Sequence, residues 1–206
     1  MDKPMRPLYF LPFVGVIALA LIIAPFTASA SKEDASQFVD NLAKDALDTI
    51  GKSDLSKEEK QKRLQKLFST HVDIDWIAKF VLGKNWRAAT QEQQDRYLEN
   101  YRSFLLKNYT SNFENFTDSR YEVVKAADGS KAGEYTVSML LKRSGQEDIA
   151  VDYRLRQDGK SFKVVDIIAE GISLITSQRS EFNSVISRNG LDYLIDELKS
   201  KTVERK

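Results

Sequence analysis

The chain has 206 residues, of which 42% are hydrophobic and 30% are charged, so it is long enough to bury a core. Its 31 basic and 30 acidic residues give a formal net charge of +1, and this balance argues against a nucleic-acid-binding surface. The chain has no cysteine, which excludes a small fold stabilised by disulfide bonds. In an exported protein, this absence favours a bacterial periplasm.

The N-terminal residues have the pattern of a secretory signal peptide. Two basic residues precede an apolar stretch from Leu8 to Ile23, and Ala28-Ser29-Ala30 has the small residues of a cleavage site. An uncleaved anchor is the alternative, because the apolar stretch approaches the length that spans a bilayer. The cleavage site favours removal. We therefore expect a signal peptide over residues 1–30 and a single domain over residues 31–206.

The first half of the mature chain is predicted to be helical. Residues 32–50 carry apolar side chains at a spacing of three to four residues. Capping-box patterns at Ser56 and Thr90 open two further helices, and Asp73 can cap a short helix between them. The helix that follows Thr90 has an apolar stripe made of Tyr97, Tyr101, Phe104, Leu105 and Tyr109.

The second half changes to the two-residue period of strands between Tyr121 and Ile168, with turn signals at 128–129, 144–145 and 158–159. Two successive strands each have one apolar face, formed by Tyr135, Val137, Met139 and Leu141, and by Ile149, Val151, Tyr153 and Leu155. Helices return at 178–188 and after Gly190. The predicted fold is α+β, with a curved four-stranded antiparallel sheet packed with several helices.

Few residues suggest catalysis or metal binding. His71 is the only histidine, and no cluster has the spacing of metal ligands. Asp73 and Asp75 diverge at a helix start, where capping is their favoured role. Trp86 either stacks on a ligand or anchors a corner between two helices, and the corner is favoured. We predict that the protein is not an enzyme and has neither a metal nor a cofactor.

Asp166 is a carboxylate in an otherwise apolar strand. Its predicted strand face also carries three apolar residues, Phe162, Val164 and Ile168. A carboxylate in such surroundings needs a partner, which Arg179 or Arg154 could supply. A structural ion pair between Asp166 and Arg179 is favoured over a ligand contact or a role as a catalytic base.

A series of short motifs runs through nearly all of the mature chain. In order they are His71 to Ala78, Phe80 to Gly83, Trp86 to Thr90, Phe104-Leu105, Tyr109, Val151 to Leu155, Phe162 to Asp166, Glu170 to Ser173, Gln178 to Phe182 and Gly190-Leu191. Each motif alone is weak, but the ordered set resembles the MlaC-type periplasmic phospholipid-binding proteins, also called the toluene-tolerance family. Phe162 departs from the pattern, because the family usually has tryptophan there.

The resemblance implies a fold related to the cone-shaped, nuclear-transport-factor-like folds, with extra helices. It also implies a monomeric carrier of diacyl phospholipid in the periplasm. Such a carrier would exchange lipid with an inner-membrane ABC transporter complex and an outer-membrane lipoprotein complex, docking only transiently on each. Carriers of another lipophile, such as a hopanoid or an aromatic solvent, and a cone-fold enzyme that uses Asp166 as its base, are the alternatives.

We expect the lipid tails to lie between the apolar face of the sheet and the aromatic helix stripe. Exposing two acyl chains of about 16 carbons to water costs on the order of 25 kcal/mol, at roughly 0.8 kcal/mol per methylene. The cavity must therefore be dry. Its predicted lining is Leu82, Trp86, Phe104, Tyr109, Met139, Leu141, Val151, Tyr153, Ile172 and Leu174.

Overall fold

The computed structural model describes residues 30–111, 116–143 and 145–202. Except for Ala30, the predicted signal peptide lies outside these residues. Within the described residues, no helix is both long enough and apolar enough to cross a membrane.

Seven helices are present in the described residues. They are α1 (Lys32–Gly51), α2 (Lys57–His71), α3 (Ile74–Leu82), α4 (Lys84–Ala88), α5 (Gln91–Thr110), α6 (Leu174–Asn189) and α7 (Leu191–Thr202). Capping boxes at Ser56 and Thr90 begin α2 and α5, and the Asp73 side chain accepts a hydrogen bond from the Trp76 amide to cap α3. These three predicted helix starts are confirmed. The short α4 was not predicted.

The strands form one antiparallel sheet in the order β1-β2-β3-β4-β5. Their bounds are β1 (Arg120–Asp128), β2 (Glu134–Lys142), β3 (Ile149–Asp158), β4 (Ser161–Ala169) and β5 (Ile172–Ser173). The predicted α+β class and antiparallel sheet are confirmed, with five strands instead of four. Glu170 and Gly171, with φ angles of 50° and 77°, make the two-residue turn that pairs β5 with the end of β4. A two-residue strand has no detectable period, so the sequence could not predict it.

The pairing of β3 with β4 shifts register in the middle of the strands. Arg154 lies opposite Asp166 and Leu155 opposite Val164, which leaves one extra residue on β4. Such a bulge reverses the alternation of side chains beyond it. Of the predicted face of Phe162, Val164, Asp166 and Ile168, the first three residues are buried. Beyond the bulge, Ile167 rather than Ile168 lies opposite Tyr153.

The main core lies between the sheet and the helices. Tyr97 and Tyr101 of α5 are both fully buried. The Tyr97 hydroxyl donates to the Ala78 carbonyl at 3.0 Å, and the Tyr101 hydroxyl donates to Gln178 Oε1 at 2.5 Å. A second, smaller cluster joins the end of α1 to α2 and consists of Ile50 and Leu64 with Ala46, Leu47 and Phe116. The space between the two clusters forms the candidate site.

Candidate functional site: an apolar cavity between two helices and the sheet

A cavity of about 320 Å³ lies between α1, α2, the end of α5 and the inner face of the sheet. The helices and their flanking segments contribute Leu42, Ala43, Ala46, Leu47, Ile50, Leu64, Leu67, Phe68, Val72, Tyr109, Thr110 and Phe116. The sheet contributes Tyr121, Met139, Leu141, Val151, Tyr153, Val164 and Ile167. None of these lining residues is charged, so the site is suited to an apolar ligand.

The sheet side of the cavity follows from strand register. Met139 pairs with Val151 across β2 and β3, so both side chains point to the same face. Tyr153 pairs with Ile167 across β3 and β4. The bulge in β4 therefore places an isoleucine in the cavity wall, where continued alternation would have placed Asp166 or Ile168.

The polar groups of the lining are neutral hydroxyls. Thr110 donates to the Leu106 carbonyl at 2.6 Å, and Tyr121 donates to the Asp40 carbonyl at 3.1 Å. Burial raises the pKa of Tyr153 to about 12. Burial also raises the pKa of Tyr109, and the nearby Asp166 carboxylate adds to that shift. These tyrosines stay uncharged at neutral pH, and the cavity remains a low-dielectric space.

A second space of about 30 Å³ lies beside the cavity, towards α6. It shares part of its wall with the cavity, namely Phe68, Val72, Tyr109, Val164 and Ile167. Leu174 and Asp166 lie on its far side. Asp166 therefore lines the smaller space and not the cavity.

Asp166 is 2% exposed and has three hydrogen-bond donors. Ser173 Oγ lies 2.7 Å from Oδ2, the Ile175 amide 3.4 Å from Oδ1, and Arg154 Nη1 3.4 Å from Oδ2. The expected partner Arg179 instead lies over the Phe80 ring, 5.0 Å from its centroid. The predicted Asp166–Arg179 pair is therefore wrong, because strand register places Arg154 opposite Asp166.

Half of the predicted ligand-binding residues line the cavity: Tyr109, Met139, Leu141, Val151 and Tyr153. Leu174 lines the smaller space instead. Tyr109, at the end of α5, is 40% exposed and is the most open residue of the wall. That these residues contact a ligand remains a prediction.

The other four predicted residues lie away from the cavity. Leu82 is fully buried in the main core, and Phe104 packs against Tyr101 at a ring distance of 6.5 Å. Trp86 lies 6.5 Å from Tyr97, at the corner between α3 and α5. Ile172 is 60% exposed on β5. The early part of α5 therefore belongs to the core, and only its C-terminal end reaches the cavity.

Sequence reasoning did not assign the α1 and α2 residues to the site. Leu42, Ala46, Leu47, Leu64 and Leu67 recur at helical spacing, so an apolar stripe was visible. The same stripe is expected of a helix that packs on a core, and spacing does not distinguish core from cavity. Within the described residues, no group of three potential metal ligands is present.

The sequence of the chain is similar to those of known proteins. The family model described as MlaC protein matches residues 40–200. A curated relative, toluene tolerance protein ttg2D of Pseudomonas putida, is 30% identical over 138 residues, covering 65% of this chain and 63% of the relative. The intermembrane phospholipid transport system binding protein MlaC of Haemophilus influenzae is 17% identical over 131 residues, covering 62% of this chain and 61% of that protein. The chain thus spans less than two thirds of the length of these curated relatives.

One solved structure has a similar fold. It is the phospholipid-binding protein from Ralstonia solanacearum in complex with a phospholipid, with a TM-score of 0.70 and 24% sequence identity. The match covers 82% of this chain and 97% of that chain. At this identity, the likeness establishes the shared fold.

Proposed function

Because the chain belongs to the MlaC protein family, we propose that it is a periplasmic phospholipid carrier whose cavity holds acyl chains. The observation that carries this proposal is the uncharged cavity of about 320 Å³ between α1, α2 and the sheet. The Ralstonia protein with the similar fold is in complex with a phospholipid, which supports the ligand class.

The physical chemistry of the cavity suits this ligand. Each methylene that leaves water gains roughly 0.8 kcal/mol, so a dry wall of leucine, valine and aromatic residues compensates for the loss of the bilayer. A carrier does not need to bind lipid more tightly than a membrane does. It needs only to offer its chains a comparably apolar space, which this lining does without a charged group.

The volume of the cavity indicates that loading enlarges it. An apolar cavity of about 150 Å³ accommodates a benzene molecule, which corresponds to roughly 25 Å³ per carbon atom. At that density the space of about 320 Å³ holds on the order of a dozen carbons, fewer than one long acyl chain. We infer that the wall moves outward when a diacyl lipid enters.

The wall best suited to move is the end of α1 together with α2. Ile50 and Leu64 form a cluster separate from the main core, with Ala46, Leu47 and Phe116 packed against them. On the other side of the cavity, Val72 and Val164 belong to the main core. Outward movement of the end of α1 with α2 would separate the two clusters, while Ala35 and Val39 in the first half of α1 would stay in the main core.

The proposed role in transport concerns both membranes. The relative from Haemophilus influenzae is named as the binding protein of an intermembrane phospholipid transport system. We propose that this chain likewise exchanges lipid with an inner-membrane ABC transporter complex and an outer-membrane lipoprotein complex. The signal-peptide pattern of residues 1–30 supports a periplasmic location.

A binding role also accounts better than catalysis for Asp166. Its carboxylate is 2% exposed, is engaged by three donors, and lines the smaller space and not the cavity. A general base must reach the proton that it removes. This arrangement supports a structural carboxylate and leaves the cavity without an acid or base.

Lipid extraction provides the test of the proposal. Protein purified from the periplasm without detergent should carry diacyl phospholipid that native mass spectrometry detects, and delipidated protein should take up labelled phospholipid from vesicles. Recovery of a different lipophile, or protein that stays empty in both assays, would contradict the proposal.

A further inference from the structure

A polar groove of about 840 Å³ lies along the outer side of α1 and α2. Its lining residues are Asp45, Leu47, Asp48, Thr49, Gly51, Lys52, Arg63, Lys66, Leu67, Thr70 and His71. This groove is distinct from the apolar cavity, because it is lined mainly by polar and charged side chains.

Leu47 and Leu67 line both the groove and the cavity. Leu47 lies on α1 and Leu67 on α2, and each is half-buried. These two side chains therefore form the boundary between an apolar interior and a polar surface. An amphiphile whose chains occupy the cavity must place its polar group at such a boundary, because burying a charged group without a partner is costly.

Most charges in the groove are separated by helix, and Lys52, which directly follows α1, is the exception. Asp45 and Asp48 belong to α1, whereas Arg63 and Lys66 belong to α2, and all four line the groove. Asp48 pairs with Lys44 at 2.5 Å, outside the groove lining. Among the ion pairs of the described residues, none includes Arg63 or Lys66. The groove thus presents two carboxylates of α1 (the acidic side) opposite two cations of α2 (the basic side), with Lys52 at the end of α1.

The carboxylates of the acidic side lie near enough to the cavity to affect the pKa of one of its residues. Burial raises the pKa of Tyr121, a cavity residue, and the carboxylates of Asp40, Asp48 and Asp45 add to this shift. The two groove carboxylates are therefore near enough to influence a hydroxyl of the cavity wall.

We propose that this groove is a head-group subsite for a zwitterionic phospholipid, which carries a phosphate and an ammonium. The phosphate pairs with Arg63 and Lys66, since guanidinium and ammonium groups are strong donors to phosphate oxygens. The ammonium lies towards Asp45 and Asp48. This inference rests on the proposed function, because it places the head group of the carried lipid.

The subsite sets a preference among lipids and contributes little to total affinity. Ion pairs between exposed groups are weak, so each pair changes binding by a factor of about two to five. A phosphoglycerol head group keeps the phosphate contact and lacks the ammonium. The wild-type protein should therefore favour a phosphoethanolamine lipid over a phosphoglycerol lipid by a few-fold.

Uptake from vesicles measures this preference. Delipidated protein is mixed with phosphatidylcholine vesicles that carry a trace of fluorescent phosphatidylethanolamine or phosphatidylglycerol. The double variant Arg63→Gln/Lys66→Gln removes the basic side, and Asp45→Asn/Asp48→Asn removes the acidic side. The control Glu33→Gln/Lys62→Gln changes one exposed charge on each helix outside the groove.

Each variant has its own expected result. Loss of the basic side removes two such pairs and should lower uptake of both lipids by about fourfold to twenty-five-fold, because both contain phosphate. Loss of the acidic side should lower uptake of phosphatidylethanolamine alone and abolish the preference. The control should match the wild type. Equal uptake of each lipid by all four proteins would overturn the subsite while leaving the carrier role intact.

A further experiment distinguishes binding of a lipid head group from binding of free phosphate. Inorganic phosphate is titrated into the delipidated protein, and the side-chain NMR signal of Arg63 is followed. A weak response, with no competition against lipid uptake, supports the head-group assignment. Tight phosphate binding that is unaffected by lipid loading would overturn it. If the wild type takes up no lipid at all, the carrier proposal itself has failed.

Discussion

Ser173 Oγ lies 2.7 Å from Oδ2 of the buried Asp166 and donates a hydrogen bond to it. The same serine hydroxyl accepts a hydrogen bond from the Thr176 amide at 3.2 Å and so caps α6. One carboxylate therefore connects β4, the short β5 and the first turn of α6. A negative charge near a helix N-terminus is also favourable. This connection holds α6 against the sheet beside the cavity.

Replacement of Asp166 by asparagine should weaken this junction. In Asp166→Asn, an amide nitrogen replaces one acceptor among three donors, so at least one buried hydrogen bond is lost. We expect the free energy of unfolding to fall by about 2 kcal/mol. Chemical denaturation measures the change. Asp152→Asn, on the neighbouring strand and less buried, is the matched control and should change stability by less than about 0.5 kcal/mol. Equal stability of both variants would argue against a structural role for Asp166.

A large side chain in the cavity should block lipid uptake. Ala46 lines the cavity from α1, and Ala46→Trp would fill much of its volume of about 320 Å³. We expect vesicle-to-protein transfer to fall by about tenfold or more, with the circular dichroism spectrum retained. Ala150→Trp adds the same side chain at an exposed position of β3 and should transfer lipid normally. Unchanged transfer by Ala46→Trp would show that the chains bind elsewhere.

Two glycine substitutions should have opposite effects on stability. Gly83, between α3 and α4, has φ +58°, and an added Cβ would lie 2.9 Å from Arg179 Nη2. Gly83→Ala should cost about 1–3 kcal/mol, mainly through backbone strain, since the arginine side chain can move. Gly51 ends α1, and a Cβ added there would meet no atom within 4 Å, so Gly51→Ala should stabilise by about 0.5 kcal/mol. Thermal unfolding of both variants measures whether each is less or more stable than the wild type.

The single histidine should make stability depend on pH. Burial, followed by the charge of Lys163, lowers the pKa of His71 below its ordinary 6.5. The unfolded chain then binds the proton more readily than the folded protein does, so protonation favours unfolding. The contribution of neutral His71 to stability is complete above pH 6.5 and is lost as the pH falls through the folded pKa.

Urea unfolding between about pH 8 and 5 measures this contribution as the difference in the free energy of unfolding between the wild type and His71→Gln. Subtracting the two curves cancels the carboxylates that titrate in both proteins. His71→Gln also loses the ring contact with Phe38 at 5.4 Å, so the informative quantity is the slope with pH. If this difference in the free energy of unfolding does not shrink on acidification, the pKa of His71 is not lowered in the folded protein.

Local signals in the sequence predicted much of the secondary structure. The caps at Ser56, Asp73 and Thr90 place helix starts correctly, because a capping side chain bonds to amides within its own first turn. The α6 helix begins at Leu174, earlier than predicted, because Ser173 acts as a cap directly after β5. That start depends on a two-residue strand, which leaves no periodic signal.

Part of the candidate site was also predictable. Met139, Val151 and Tyr153 were placed on an inner sheet face by strand alternation, and they line the cavity. Leu82 and Phe104 were assigned to the same lining, and they pack in the core instead. A helix stripe reports which side of a helix is buried, but the neighbouring elements determine what that side meets.

The amino-acid sequence by itself determined the α+β class, most helix boundaries and the membership of the MlaC family, because these depend on local patterns and ordered motifs. Tertiary structure alone decided three further features: the partner of Asp166, the inward position of Ile167, and the separation of the α1–α2 cluster from the main core. Each depends on register or packing between segments distant in the chain. Strand alternation cannot reveal a bulge, and helical spacing cannot reveal whether an apolar stripe meets side chains or an open cavity.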